Sequence, residues 1–199
     1  MTSVLGQHKK MLFAWGIIVA IVAVGISAFF PIQYSATSQV LIISHTQTGV
    51  DPYTQAKAAE QIGANLAAVM GTTDFFNLVM NNPAVSFDKT MWQALSDRDQ
   101  RKDWQRDVKP SVVYDTSLLS ITAYASGPAE AVNLSEATAE TLVTDGWQYI
   151  GENIDLKEVD KPIASRFPTR PDFLVNGLAG FVVGVLAAGV WLTYYMKKR

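Results

Sequence analysis

Two uncharged hydrophobic stretches lie at the two ends of this 199-residue chain, and every acidic residue lies between them. Residues 11–30 and 173–196 are 20 and 24 residues long. At about 1.5 Å per residue, each stretch can cross the roughly 30 Å hydrocarbon core of a bilayer as a helix. Both are therefore predicted to be transmembrane helices. A cleaved signal peptide is the alternative for the first stretch, but its apolar run is longer than such peptides usually carry.

The flanks of the two stretches predict their orientation. Two lysines precede the first stretch, two lysines and an arginine follow the second, and neither outer flank holds an acid. Short flanks rich in Lys and Arg stay in the cytoplasm. We therefore expect residues 1–10 and 197–199 to be cytoplasmic, and residues 31–172 to form one extracytoplasmic domain of ordinary size.

The composition of the middle segment narrows its function. The chain has 16 Lys and Arg against 18 Asp and Glu, and five of the basic residues lie in the flanks, so the segment has a formal net charge of about -7. That sign disfavours binding to nucleic acid. Cysteine is absent, which excludes disulfides and thiolate chemistry. His45 is the one histidine of the segment, and neither a metal site nor a cofactor is expected.

The patterning of the segment predicts strands and helices in the order β-α-β-β-α-β. Strands are expected over residues 35–44, 108–114, 118–125 and 154–159, from their β-forming residues and the turn residues that bound them. Asp51 and Pro52 begin the first helix, which runs to about residue 71, and Gly127 and Pro128 begin the second, of about 25 residues. Residues 71–107 are a polar insertion of two or three short helices.

This order predicts an α+β fold, with a ferredoxin-like domain held between the two transmembrane helices. In such a unit the first and last strands lie side by side and antiparallel, so the two transmembrane helices should emerge close together. A stiff link of residues 162–171 is expected to lead from the last strand into the second transmembrane helix. Three juxtamembrane prolines mark this link: Pro162, Pro168 and Pro171.

Small residues and one amide recur along the second hydrophobic stretch. They are Asn176, Gly177, Gly180 and Gly184. Small residues at a spacing of four let helix backbones approach closely in lipid, and a polar side chain can hydrogen-bond across the contact. The partner of this face is either the first stretch, through Gly16 and Ala20, or a neighbouring subunit or polymerase. Because glycine is common in membrane helices, composition alone is the competing explanation.

A charged helix is predicted within the insertion. Its side chains alternate in sign, with Arg98, Arg101, Asp103 and Arg106 among them. Alternating charges at helical spacing are typical of a solvated, salt-bridged helix face. The functional alternative is a contact with a second copy of the chain or with sugar. The carboxylates of the segment are scattered rather than grouped as acid and base catalysts, so an enzyme is not expected.

Several local features taken together resemble the Wzz-type chain-length determinant family, the polysaccharide co-polymerases of bacterial surface-polysaccharide assembly. They are Tyr34-Ser35-Ala36 just after the first stretch, Asp115-Thr116-Ser117-Leu118-Leu119-Ser120-Ile121 at the hairpin, Gly127-Pro128-x-x-Ala131 at the second helix, and the prolines before a Gly-rich second stretch. The chain departs from the family pattern at Ser165, where a further proline would stand. Its insertion is also short, so it looks like a small member nearer the capsule and exopolysaccharide branch.

The resemblance implies a non-catalytic inner-membrane scaffold that regulates the chain length of an O-antigen, capsule or exopolysaccharide. The implied partners are the lipid bilayer, a membrane polysaccharide polymerase, lipid-linked polysaccharide, and other copies of the chain in a closed ring of about eight. The alternative is a two-span sensor or adaptor, including a modulator of a separate cytoplasmic tyrosine kinase. The chain itself has no Gly-rich phosphate loop and so no kinase site.

Overall fold

A computed structural model describes residues 9–44, 52–83, 87–151 and 153–197. It divides into two compact units, one formed by the two ends of the chain and one formed by Gln33–Pro168, here called the middle domain. The predicted helix cap at Asp51, the histidine His45, and the terminal residues 198 and 199 lie outside the described residues.

Helices and strands follow one another along the described chain as a mixed α+β structure. In chain order they are α1 (Lys9–Ser27), β1 (Tyr34–Ser44), α2 (Pro52–Met70), α3 (Thr73–Asn81), α4 (Thr90–Gln93), α5 (Asp97–Asp107), β2 (Val108–Val112), β3 (Leu118–Ala125), α6 (Pro128–Asp145), α7 (Trp147–Ile150), β4 (Ile154–Ala164) and α8 (Phe173–Lys197). The three helices α3, α4 and α5 confirm the prediction of two or three short helices in the insertion.

The two terminal helices, α1 and α8, are the apolar ones. Each contains a segment with a mean hydropathy of 2.1, and each is long and apolar enough to cross a membrane. Helix α1 ends at Ser27, three residues earlier than the hydrophobic stretch does. Residues 28–30 form a turn in which the N–H of Phe29 donates to the carbonyl of Ile26 and that of Phe30 to Ser27.

A four-stranded antiparallel sheet, in the order β2-β3-β1-β4, organises the middle domain. Strand β1 pairs with β3 on one side and with β4 on the other. The predicted adjacency of the first and last strands is therefore confirmed. One face of the sheet is covered by α2 and α6. Alternate residues of the central strands point to that face and are buried: Ala36, Ser38, Val40, Ile42, Leu119, Ile121 and Ala123.

The predicted hairpin joins β2 and β3. Strand β2 ends at Val112, and the N–H of Val113 donates to the carbonyl of Leu118 at 3.0 Å to close the loop. Asp115 has a φ of 56°. Because aspartate tolerates the left-handed region better than most side chains, this residue type suits the turn.

The last strand is longer than predicted, and this corrects the position of the proline link. Strand β4 continues to Ala164, so Pro162 lies within it and not in a link of residues 162–171. The register shifts between Thr37 and Gln39 place Pro162 opposite an irregularity of the ladder. Because β4 lies at the edge of the sheet, a residue without an N–H is tolerated there. The side chain of Pro162 is buried.

Ser165, the residue after this strand, prolongs the pairing of β4 with β1. The N–H of Ser165 donates to the carbonyl of Ser35 at 2.7 Å, and the Ser165 hydroxyl accepts from the N–H of Ser35 at 3.1 Å. A proline at this position would lose both hydrogen bonds. Ser165 therefore extends the pairing of the first and last strands by one residue.

The second long helix is shorter than the predicted 25 residues. Helix α6 ends at Asp145, and α7 begins after Gly146. A Cβ atom added at Gly146 would lie 2.7 Å from Cδ1 of Leu156 in β4. Glycine at this position thus allows β4 to pack closely where the helix is interrupted.

Candidate functional site

The Gly-x-x-x-Gly face of α8 packs against α1. A Cβ atom added at Gly184 would lie 3.0 Å from the Cα of Gly16 and 2.8 Å from the carbonyl oxygen of Trp15. One added at Gly180 would lie 2.7 Å from Cβ of Ala23 and 3.1 Å from the Cα of Ala20. The helix backbones therefore touch, as small residues permit. The sequence left two partners open for this face, the first hydrophobic stretch or another protein. In the structure the glycines contact the first hydrophobic stretch.

The other two candidate residues of α8 extend the same contact toward the start of the helix. A Cβ atom added at Gly177 would lie 3.2 Å from Cγ2 of Val24. The amide of Asn176 donates a hydrogen bond of 2.8 Å to the hydroxyl of Ser27, which is buried. The Ser27 hydroxyl in turn donates to the carbonyl of Ala23 at 2.9 Å. This polar chain joins the two helices at one end of their contact.

Helix α5 presents its cations outward and is anchored by its other side. Trp104 is buried, and its indole N–H donates to the carbonyl of Met70 at 2.7 Å. Successive helical residues are about 100° apart, so Arg98 and Lys102 lie on the side opposite Trp104. Both of these side chains are exposed. With the exposed Arg101 and Arg106 on the flanks, they form what we call the cationic face of α5.

Three of the four acids on α5 are engaged within the domain. Asp99 accepts a hydrogen bond of 2.7 Å from the hydroxyl of Ser96. Asp103 and Asp107 each lie 2.9 Å from a guanidinium nitrogen of Arg106. Asp107, which is buried, also accepts from the amide of Gln33 at 3.0 Å. The expectation of a salt-bridged helix therefore describes one side of α5, whereas Arg98 and Lys102 have no ion pair among the described residues.

An acidic recess lies between α6 and β4, and sequence analysis did not identify it. It has a volume of about 240 Å³ and is lined by Glu136, Glu140, Val143, Glu158 and Lys161. Lys161 is the one cation of this set, and its Nζ lies 4.0 Å from Glu136, at the outer limit of an ion pair. The sequence held one signal for this recess. Glu136 and Glu140 are four residues apart on a helix, and Glu158 lies on the covered face of an edge strand.

Glu158 is held in an environment that disfavours its charge. It lies opposite Val40, on the face of β4 that packs toward α6, and its Oε1 is buried without a hydrogen-bond partner in the described part of the chain. Burial raises the pKa of Glu158, and repulsion from Glu136, Glu140 and Asp160 raises it further, while Lys161 lowers it. The folded chain therefore holds a proton on Glu158 more tightly than the unfolded chain does.

We expect Glu158→Gln to stabilise the protein at neutral pH. Since the pKa of Glu158 is raised on folding, the free energy of unfolding of the wild type falls as pH rises from near 4.5, the ordinary value, through the folded pKa. The uncharged amide escapes this penalty, so the free energy of unfolding of the variant should exceed that of the wild type at pH 7.5, and the difference should shrink toward pH 4.0. Urea unfolding of the full chain in detergent at pH 7.5 and pH 4.0 measures the difference.

The control for this prediction is Glu130→Gln, because Glu130 is exposed in the first turn of the same helix. It should give no gain at either pH, since an acid there favours the helix N-terminus. A gain for Glu158→Gln that is equally large at pH 4.0, or absent at pH 7.5, contradicts the assignment of the penalty to the ionised carboxylate.

A second groove lies at one end of the sheet, around an exposed tryptophan. It has a volume of about 410 Å³ and includes Trp147, Asp155 and Lys157 beside apolar side chains of β1, α6 and β4. Trp147 is 51% exposed. Among the described residues there is no group of three or more His, Asp or Glu side chains placed to hold a metal ion.

The prolines of the predicted link do not form one group. Pro162 belongs to β4, whereas Pro168 and Pro171 lie in the segment between β4 and α8. Before α8, the carboxylate of Asp172 accepts a hydrogen bond of 2.9 Å from the N–H of Val175. This bond caps the first turn of α8.

Comparison with known proteins assigns no family to this chain, so its function is inferred from its own residues. A scan against protein-family models and a search of the curated proteins both give no match. The fold defines a class: a mixed α+β protein with a four-stranded antiparallel sheet and two apolar terminal helices that are long enough to cross a bilayer.

Proposed function

We propose that this protein is a Wzz-type polysaccharide co-polymerase, a non-catalytic inner-membrane scaffold that regulates the length of a bacterial surface polysaccharide. The observation that carries the proposal is the pairing of β1 with β4 in a chain whose terminal helices pack together through glycines. A domain inserted between two packed membrane helices must bring its ends together, and adjacent antiparallel terminal strands do this.

The proposal includes a ferredoxin-like middle domain. Its support is the strand order β2-β3-β1-β4 with helices on one face, which is the arrangement that a β-α-β-β-α-β chain takes in such a unit. The insertion of α3, α4 and α5 replaces the simple connection between the first helix and the second strand.

The proposal also includes the orientation in the membrane. Lys9 and Lys10 begin α1, Lys197 ends α8, and the acids are confined to the segment between the two helices. Under the positive-inside rule both termini are then cytoplasmic and the middle domain is extracytoplasmic. The net negative charge of that domain is consistent with a scaffold that does not bind anionic lipid surfaces.

Deleting the gene is expected to change the length distribution of a surface polysaccharide. A scaffold that sets how long the polymer stays with its polymerase alters polymer size without making or breaking bonds itself. Gel electrophoresis of the extracted polysaccharide from the deletion strain, and from the strain with the gene restored, measures the distribution. An unchanged distribution for every surface polysaccharide of the cell contradicts the proposal.

A two-span sensor is the second candidate, and the groove at Trp147 is the observation that favours it. A tryptophan face beside Asp155 and Lys157 could hold a small polar ligand. Loss of a membrane response in the deletion strain, with polymer length unchanged, would favour this candidate. Trp147→Ala should then reproduce the loss.

A further inference from the structure

Two surfaces of opposite charge lie toward opposite edges of the middle domain. We propose that the cationic face of α5 docks against the acidic recess between α6 and β4 of a second copy of the chain. This inference rests on the proposed function, since it assigns the contact by which the copies would assemble. Each copy thus contributes its cationic face to one neighbour and its acidic recess to another.

The first argument is that two cations of the cationic face, Arg98 and Lys102, have no ion pair among the described residues. Both side chains are exposed, and two of the four acids of the same helix, Asp103 and Asp107, are already paired with Arg106. The buried Trp104 fixes the helix on the domain, so these cations are presented by an anchored element and not by a loose loop. An anchored surface loses less entropy on docking.

The second argument is that the recess has three carboxylates and only one cation among its lining residues. Glu136, Glu140 and Glu158 meet there, and the one lysine lies at 4.0 Å from Glu136 with its side chain 81% exposed. Oε1 of Glu158 is buried with no hydrogen-bond partner among the residues that the structure describes. A guanidinium or ammonium group from outside would offset the repulsion among the three carboxylates. Opposite potentials of this kind select partners and fix their register.

The third argument is that the two surfaces cannot meet within one chain. Helix α5 packs against β2 and β3 and leads directly into β2, whereas the recess includes β4. Strands β2 and β4 are the two edges of the sheet, three strand spacings or about 14 Å apart. A contact between two different surfaces is heterologous, and repeated contacts of this type generate a ring when the rotation closes.

Chemical cross-linking of the full chain in native membranes tests the contact. The chain has no cysteine, so Lys102→Cys with Glu140→Cys introduces one thiol on each surface. With a short bismaleimide, the double variant is expected to give a ladder of dimers, trimers and higher species on a denaturing gel. Either single variant should remain monomeric, because a heterologous contact never brings two equal positions together.

A matched control distinguishes cross-links formed by random collision from those formed by docking. Lys57→Cys with Glu140→Cys places the first thiol on α2, where Lys57 is exposed and outside the cationic face. Its yield of linked species should be about tenfold lower or less. A ladder no stronger than this control overturns the proposal. Linked dimers from either single variant also overturn it, because they require an isologous contact.

Charge exchange gives a second measurement that does not depend on cysteine. Arg98→Glu with Lys102→Glu, and separately Glu136→Lys with Glu140→Lys, should each weaken assembly by about tenfold or more, since like charges then face one another. The chain carrying all four changes should recover the wild-type oligomer mass in detergent. Failure to recover, in a variant with wild-type circular dichroism, is evidence against the contact.

The outcomes separate this inference from the proposed function. If deletion of the gene changes polymer length but the cross-linked ladder is absent, the interface is wrong and the scaffold proposal stands. If the ladder and the charge exchange behave as expected while polymer length is unchanged by deletion, the interface stands and the assigned function is wrong. A wild-type chain that is monomeric in native membranes overturns the interface.

Discussion

Gly184→Leu is expected to separate α1 from α8 and to leave the middle domain folded. A Cβ atom at this position would lie within 3.0 Å of the carbonyl oxygen of Trp15, Cβ of Val19 and Cα of Gly16. Two of these neighbours are backbone atoms, which cannot move aside as a flexible side chain does. We expect the overpacked contact to lose about 1 to 3 kcal/mol, the usual cost of inserting a larger side chain into a well-packed contact.

Cross-linking between the two helices measures this effect. Phe13 and Phe181 pack with ring centroids 5.5 Å apart, so cysteines at these two positions report the distance between α1 and α8. In the Gly184→Leu background the rate of disulfide formation should fall by about tenfold or more. Urea unfolding of the middle domain, followed by circular dichroism, should be unchanged.

The control for this experiment is on the same helix. A Cβ atom added at Gly189 meets nothing within 4 Å, so Gly189→Leu changes composition equally without touching α1. It should leave the cross-linking rate at the wild-type level. Equal loss in the two variants would mean that glycine content, and not the packed face, keeps the helices together. Because Gly184 contacts α1, any loss of oligomers in its variant would be an indirect effect.

Trp104→Ala is expected to cost about 3 to 5 kcal/mol of the free energy of unfolding, as removal of a buried tryptophan usually does. Trp104 is 1% exposed and packs edge-on against Phe76 at 5.3 Å and Trp92 at 5.8 Å between ring centroids. Its indole N–H also satisfies the carbonyl of Met70. The substitution removes the packing of all three rings and the anchor of α5 together.

Urea unfolding of the full chain in detergent, followed by far-ultraviolet circular dichroism, measures this loss. Trp147→Ala is the matched control, because Trp147 is 51% exposed. It should change the free energy of unfolding by about 0.5 kcal/mol or less, as for most surface substitutions. Trp104→Phe should lie between the two, since it keeps an aromatic ring but leaves the carbonyl of Met70 unpaired. Equal destabilisation by both alanine variants would contradict the assignment of Trp104 to the core.

The order of elements could be predicted because it depends on local patterns. The β-forming residues and the turn residues that bound them correctly located β3 at Leu118–Ala125. Proline after a possible cap correctly located the start of α2, and the turn residues near Asp115 correctly located the hairpin. In each case neighbours within a few residues of one another decide the conformation, so the sequence contains the information directly.

Element boundaries were less predictable where distant residues decide them. Pro162 was expected to lie in a stiff, extended link to the second hydrophobic stretch, because three prolines follow one another there. In the structure it lies in β4, since an edge position and a local irregularity of register remove the need for its N–H. Helix α6 ends earlier than its periodicity predicted, at the point where Leu156 of β4 approaches Gly146. Neither partner is near in sequence.

For the candidate sites too, local patterns predicted the type of contact, whereas distant residues decided the partner. Glycines at a spacing of four predicted a close helix contact, but not which partner would occupy it; the structure places Gly16, Val19 and Ala23 there. The charge pattern of α5 predicted an exposed helix, but the engagement of Asp107 depends on Gln33, 74 residues away. The acidic recess was not predicted at all, because Glu158 reaches Glu136 and Glu140 only through the pairing of β4 with β1.

The sequence alone determined that this protein has two apolar helices at its ends and an acidic α+β domain between them, since length, charge and periodicity are properties of the chain itself. Only the tertiary structure decided which face of α8 meets α1, that the cations of α5 point outward, and that three glutamates converge at the opposite edge of the sheet. The reason is that strand order and helix packing bring together residues far apart along the chain, and no local pattern encodes the distances between them.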